Sequence, residues 1–175
     1  MPEERINMKI TTKNLVHAAV IAAVYATLTI LLEPISYGPV QFRLAEALTV
    51  LPAILPSSIP GLFIGCIIAN MAGAFGLADV VFGSLATLLA SVSTYLLRNK
   101  PLLYPLPPAI FNGLIVGAYV YLLYDRTYPL PLTMLFIALS ELVLTYALGL
   151  PLVSLIKKNP ELVRIFDIKN EEKKD

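Results

Sequence analysis

Long apolar runs separated by short polar stretches make up most of the chain from residue 15 onward. They lack the strict apolar–polar alternation of a barrel strand and therefore predict helices. The predicted helices cover residues 15–32, 44–57, 61–76, 79–97, 108–124 and 131–156. The second and third fall short of the roughly 20 residues that cross a bilayer. Either loop residues complete these two spans, or the pair is tilted or partly re-entrant.

Composition indicates a membrane protein with several spans. The 175 residues are 57% hydrophobic and 14% charged, and the mean hydropathy is +0.76. An average soluble domain is about a quarter charged, so the chain has too few charges to cover a soluble surface. The net charge of +1 gives no indication of nucleic-acid binding. We expect an all-α membrane protein of six transmembrane helices in the lipid bilayer of a cell membrane.

The basic residues predict the orientation of the chain. All 13 except Arg43 and Arg126 lie in the amino-terminal tail, the connection at 98–100, or the residues after 156. With six spans these three regions share one side, which the positive-inside rule places in the cytoplasm. We expect one transmembrane domain over 1–156 with a polar amino-terminal tail at 1–14. A charged tail at 157–175 follows, and both termini are cytoplasmic.

Recognisable catalytic motifs are absent from the sequence. It contains no Walker A, HExxH or GxSxG pattern, and these motifs carry nucleotide hydrolysis, zinc proteolysis and serine hydrolysis. One histidine and one cysteine do not make a metal site of the usual spacing. We expect neither an enzyme nor a cofactor or metal site in this chain.

Polar side chains within the apolar segments are the candidate binding residues, because such groups are costly in a membrane. At 1.5 Å rise per residue, several fall within the outer half of their spans and can share one outward-open cavity. These are Glu46, Asn70, Asp79, Ser84 and Glu141. Asn112 falls near the cytoplasmic end, which favours a structural role in which it bonds a neighbouring helix.

Each candidate also has an ordinary structural explanation. Arg43 and Glu46, three residues apart, could pair on one helix face. Asp79 could cap a helix, and Ser84 could bond to its own backbone. Glu141 has no cation in its span, so it needs a partner from elsewhere, water or a ligand.

Alanines repeat along the first helix within "HAAVIAAVYATLTILL". Ala18, Ala22 and Ala26 recur every four residues, with Ala19 and Ala23 beside them. Small residues at this spacing let another helix approach closely. The face either packs within the chain or docks a partner subunit.

Two long motifs carry a resemblance to a known family. "YGPVQFRLAEALTVLP" and "IGCIIANMAGAFGLADVVFGSLATLL" resemble the QueT family, proposed queuosine-precursor transporters among the substrate-binding S components of energy-coupling factor (ECF) transporters. The resemblance extends to about residue 156. It implies a compact S-component bundle in the prokaryotic cytoplasmic membrane. It also implies a transmembrane T component and two ATP-binding cassette subunits as partners.

The implied ligand is a 7-deazaguanine, such as the 7-aminomethyl form or queuine, captured from outside. One carboxylate accepts two adjacent N–H groups of a guanine-like edge, and we predict this role for Glu46. Arg43 either holds Glu46 or binds the base. The donor to the ring oxygen is Asn70, Gln41 or Arg43, and the ring stacks on Tyr37, Phe42 or Phe75. Asp79, Ser84 and Glu141 complete the expected site. The alternative is a stand-alone proton-coupled secondary transporter of a small heterocyclic compound.

Overall fold

A computed structural model describes residues 11–36, 41–73 and 75–168, and their regular secondary structure is helical, with no β-strand among them. The all-α prediction is confirmed for this part of the chain. The α-helices are α1 Thr12–Leu31, α2 Glu33–Ser36, α3 Ser58–Ala72, α4 Gly76–Leu96, α5 Leu106–Leu123, α6 Leu130–Lys158 and α7 Pro160–Phe166. A 3₁₀ helix, Leu44–Ala53, precedes α3.

Four helices of the described residues, α1, α4, α5 and α6, are long and apolar enough to cross a membrane. The 3₁₀ helix and α3 are apolar but shorter, at the positions where the sequence predicts short segments. The six-span topology and the cytoplasmic location of both termini remain predictions.

Helices α1 and α3 pack at very close range through small residues. A Cβ atom added at Gly61 would lie 2.6 Å from the carbonyl oxygen of Ala18, and one at Gly65 would lie 2.8 Å from that of Ala22. Glycines four residues apart on α3 thus face alanines four residues apart on α1. This is the small-residue contact by which helices associate in membranes.

The alanines of α1 therefore fall into a buried set and an exposed set. Ala18, Ala22 and Ala26 are buried, so the prediction that these three dock a partner subunit is wrong for the chain in this conformation. Close packing on α3 leaves no room for a second helix there. Ala19 and Ala23 are exposed, and their docking role remains a prediction.

The 3₁₀ helix lies inside the bundle and holds Glu46 there. It has ten residues, contains Pro52 and buries most of its side chains. A run of this length is uncommon, because 3₁₀ hydrogen bonds have poorer geometry than those of an α-helix. At Gly149 of α6 an added Cβ would lie 3.0 Å from the carbonyl oxygen of Ala47, so α6 supports the 3₁₀ helix directly.

Two apolar clusters adjoin the polar interior. The larger one joins α1, the 3₁₀ helix, α3 and the end of α6, and includes Tyr25, Val50 and Leu62. The smaller one joins α4, α5 and α6 around Val120 and Ile137. Both clusters adjoin the polar side chains described next, the larger through Tyr25 and the smaller through Ile137.

Candidate ligand-binding site

A small polar cavity lies in the interior of the bundle. In this conformation it has room for about one water molecule. The residues that line it come from the 41–43 segment, the 3₁₀ helix, α4, α5 and α6. They are Gln41, Arg43, Glu46, Gly83, Thr87, Asn112, Val116, Ile137 and Glu141.

Arg43 forms a buried ion pair beside this cavity. Its Nη2 atom lies 2.9 Å from Oδ2 of Asp79, and its Nη1 atom donates to Oδ1 of Asn70 at 3.0 Å. The amide of Asn70 donates to the backbone carbonyl of Asp79 at 2.8 Å. The hydroxyl of Tyr119 donates to Oδ1 of Asp79. We call these four residues the Arg43 network.

The Arg43 network is closed in both charge and hydrogen bonding. A buried ion pair is stable only where further hydrogen bonds satisfy its remaining donors and lone pairs. Asn70 and Tyr119 supply such bonds, and Nε of Arg43 also donates to the carbonyl of Ser36 at 3.3 Å. The alternative in which Arg43 pairs with Glu46 is therefore wrong, because the ion partner of Arg43 in the described chain is Asp79.

A second group of buried polar side chains is open, in the sense that its hydrogen bonding is incomplete. The cavity quartet, as we call it, consists of Gln41, Glu46, Asn112 and Glu141, each at most 4% exposed. The amide of Asn112 donates to Oε1 of Glu141 at 2.8 Å, and the hydroxyl of Tyr25 donates to Oε1 of Glu46.

Each member of the quartet keeps one polar atom without a hydrogen-bond partner among the described residues. These atoms are Nε2 of Gln41, Oε2 of Glu46, Oδ1 of Asn112 and Oε2 of Glu141. A buried unpaired polar group costs about 1–3 kcal/mol. Four such atoms around one cavity match a ligand that offers several N–H donors and at least one acceptor.

The backbone at Gln41 adds a second sign of function. Its φ of +48° lies in the left-handed region, which a non-glycine residue rarely adopts. Strained conformations of this kind concentrate at ligand sites, where the surroundings hold them. Gln41 follows residues 37–40, so the predicted stacking residue Tyr37 lies outside the described residues.

The predicted site residues thus separate into distinct groups. Gln41, Glu46 and Glu141 line the cavity with unpaired atoms, whereas Arg43 lines it but is paired. Asn70 and Asp79 belong to the Arg43 network and are not on the cavity wall. Asp79 lies within α4, so it is not a helix cap. Ser84 is 1% exposed and its hydroxyl has no partner in the described chain, so the backbone bond considered for it is not formed.

Asn112 has a second position of interest beyond the one predicted for it. It bonds a neighbouring helix, as predicted, through Glu141 of α6, and it also lines the cavity, which was not predicted. Helix α5 begins at Leu106, two residues earlier than predicted. A π-helical turn then covers Asn112–Val116. Such turns often occur at functional sites, and their rotation is not visible in the amino-acid pattern.

Two tyrosines of the site were not predicted at all. Tyr25 and Tyr119 lie within apolar runs, where a tyrosine is easily taken for a core residue. Each points its hydroxyl at one of the buried carboxylates, Glu46 and Asp79 respectively. The available signal was chemical, because a buried Tyr hydroxyl usually requires an acceptor.

Fold and cavity together define a multi-pass helical membrane protein with an enclosed polar site. The sequence model for the QueT transporter family matches residues 15–158. The chain therefore belongs to the QueT transporter family, a family of transporters and not of enzymes.

A more detailed comparison covers part of the chain. The queuosine precursor transporter QueT of Lactococcus lactis subsp. cremoris (strain MG1363) is 40% identical over 82 residues, which are 46% of this chain and 48% of the relative. The alignment thus spans about half the length of that relative. No solved structure matches the chain.

Proposed function

We propose that this chain captures a queuosine precursor of the 7-deazaguanine class from outside the cell, as the S component of an ECF importer. The observation that carries the proposal is the cavity quartet, with its four unpaired buried atoms. Family membership and the name of the L. lactis relative support the choice of ligand class.

A guanine-like edge suits the part of the quartet that comes from residues 41–46. That edge carries a carbonyl acceptor next to a ring N–H and an exocyclic amino group. Nε2 of Gln41 is an unpaired donor for the carbonyl, and Oε2 of Glu46 is an unpaired acceptor for the N–H groups. Tyr25 holds the other oxygen of Glu46, so the carboxylate is oriented before the ligand arrives.

Ligand binding requires the cavity to widen, because it now has room for about one water molecule. Release of the backbone strain at Gln41 would offset part of the cost of opening.

The proposed partners are a transmembrane T component and two ATP-binding cassette subunits. The sequence has no Walker A motif of its own, so energy would come from such subunits. The exposed face of α1, with Ala19 and Ala23 among exposed apolar side chains, offers a surface for a partner helix.

The alternative is a proton-coupled secondary transporter that works alone. Two buried carboxylates in one cavity, Glu46 and Glu141, favour it, because intramembrane carboxylates form proton pathways in transporters.

Uptake by reconstituted vesicles separates the two functions. The purified chain is incorporated alone or with a T component and both ATPase subunits, and labelled 7-aminomethyl-7-deazaguanine is supplied. We expect uptake only with the complete set and ATP, and no response to a proton gradient. Gradient-driven uptake by the chain alone would replace the importer with the secondary transporter.

A further inference from the structure

Asn112 and Glu141 form a pair that the guanine edge does not use. They lie on α5 and α6, and the amide of Asn112 donates to Oε1 of Glu141 at 2.8 Å. This bond leaves Oδ1 of Asn112 and Oε2 of Glu141 as unpaired acceptors on neighbouring side chains. Both residues line the cavity and are at most 4% exposed.

The buried acidic groups around the cavity outnumber the basic ones. Arg43 forms its ion pair with Asp79, whereas neither Glu46 nor Glu141 forms an ion pair with a described residue. A guanine edge is neutral and satisfies hydrogen bonds without supplying charge. Because a buried carboxylate without a counter-charge is costly, a cation bound beside Oε2 of Glu141 would stabilise the site.

We propose that Oε2 of Glu141 and Oδ1 of Asn112 form a subsite for an alkylammonium group, so that the site selects a deazaguanine with a positively charged substituent over a neutral one. This inference rests on the proposed function, since it assigns the substituent of the same ligand. Gln41 and Glu46 bind the ring edge, and Asn112 and Glu141 bind the charged substituent.

The chemistry of the two substituents gives the selection its direction. An ammonium group has only donors, and its bond to a carboxylate is charge-assisted. A nitrile on the same ring is neutral and only accepts, so it would place an acceptor against two acceptors. The apolar side chains of Val116 and Ile137, also on the wall, suit the methylene that carries the ammonium.

The test compares 7-aminomethyl-7-deazaguanine with 7-cyano-7-deazaguanine, titrated into the purified full chain by calorimetry. One charge-assisted contact predicts a preference for the aminomethyl compound of about 10–100-fold. Glu141→Gln is expected to weaken the binding of the aminomethyl compound only. It should bring the two affinities to within about threefold of each other. Glu46→Gln is expected to weaken both compounds and keep the ratio.

Glu161→Gln is the matched control, since Glu161 is exposed on α7; it should leave both affinities unchanged. Asn112→Leu removes the second acceptor and is expected to lower the ratio if Glu141→Gln does not fold. The ratio of the two affinities in the wild-type protein tests the subsite even if no variant folds.

Three outcomes would overturn the subsite. Equal wild-type affinities for the two compounds would do so while the proposed function stands. If the affinity ratio is lost in Glu46→Gln but persists in Glu141→Gln, the ammonium group binds Glu46 and the proposed subsite is wrong. Absence of binding by either compound would remove the subsite together with the proposed function.

Discussion

Two groups of buried polar side chains lie side by side in this bundle and are built in opposite ways. In the Arg43 network the charges cancel and hydrogen bonds run between all four members. In the cavity quartet two carboxylates lack a cation in the described chain, and every member keeps an unpaired atom. Burial alone therefore does not distinguish the two groups, whereas the grouping of several unpaired atoms around one cavity sets the quartet apart.

The contrast assigns different roles to the two groups. A closed network fixes the positions of the elements that carry it, namely the 41–43 segment, α3, α4 and α5. In the proposed function, the quartet is stabilised by the ligand that completes its hydrogen bonds. Substitutions in the network should mainly change stability, and substitutions in the quartet should mainly change ligand affinity.

The largest expected effect is that of Asp79→Asn. It leaves the charge of Arg43 buried without an anionic partner, and breaking a buried pair in this way costs about 3–5 kcal/mol. Since the chain has no tryptophan, far-UV circular dichroism in detergent is the suitable measure of unfolding. Asp167→Asn is the control, because the Asp167 side chain is 86% exposed and its ion pair with Lys13 spans 3.8 Å. Equal stability of the two variants would contradict the role of the network.

Gly83→Ala tests the junction between the two groups, since Gly83 lines the cavity and adjoins the network. An added Cβ would lie 2.6 Å from Oδ1 of Asp79 and 2.8 Å from Nδ2 of Asn70. Both atoms are held by hydrogen bonds, so displacing them should cost about 1–3 kcal/mol. Val81→Ala in the same turn, where Val81 is 51% exposed, should change thermal stability little. A Gly83→Ala protein as stable as the wild type would show that the network yields easily.

The two tyrosines provide a paired comparison. Tyr119→Phe removes a hydrogen bond from Asp79 and should lower stability by about 1 kcal/mol. Because Arg43 still holds that carboxylate, ligand affinity should stay within about twofold. Tyr25→Phe removes the hydrogen bond that orients Glu46 and should weaken ligand binding by about three- to tenfold. If Tyr119→Phe weakened ligand binding and Tyr25→Phe did not, the roles assigned to the Arg43 network and the cavity quartet would be reversed.

The smallest effect on stability is expected for Glu46→Gln and Glu141→Gln. Each replaces a buried carboxyl group that has no ion-pair partner in the described chain and keeps an oxygen to accept from Tyr25 or Asn112. Stability of the ligand-free protein should be unchanged or higher by up to about 1 kcal/mol. Thermal unfolding of these two variants, compared with that of Asp79→Asn, measures the difference in stability between the two groups. A loss as large as that of Asp79→Asn would show that these carboxylates belong to a closed structural network.

The sequence predicted the elements better than the partners of their side chains. Each predicted apolar segment corresponds to a helix with ends within a few residues, because long apolar runs specify helices in a membrane whatever they pack against. The short second and third segments correspond to the 3₁₀ helix and α3.

The pairing of Arg43 was not predictable from spacing. Residues three apart meet on an α-helix, but Arg43 has extended backbone angles and precedes a 3₁₀ helix. Its side chain reaches Asp79, 36 positions away in sequence. The alanine pattern likewise gave the correct spacing for close packing without showing that the glycines of α3 were its partner.

The measurement that tests the central claim most directly is the affinity of 7-aminomethyl-7-deazaguanine for three purified proteins: wild type, Glu46→Gln and Tyr119→Phe. The predicted result is 1:1 binding to the wild type, an affinity within about twofold for Tyr119→Phe, and a loss of at least about tenfold for Glu46→Gln. Equal affinities in all three, or a loss confined to Tyr119→Phe, would contradict the assignment of the cavity quartet as the ligand site.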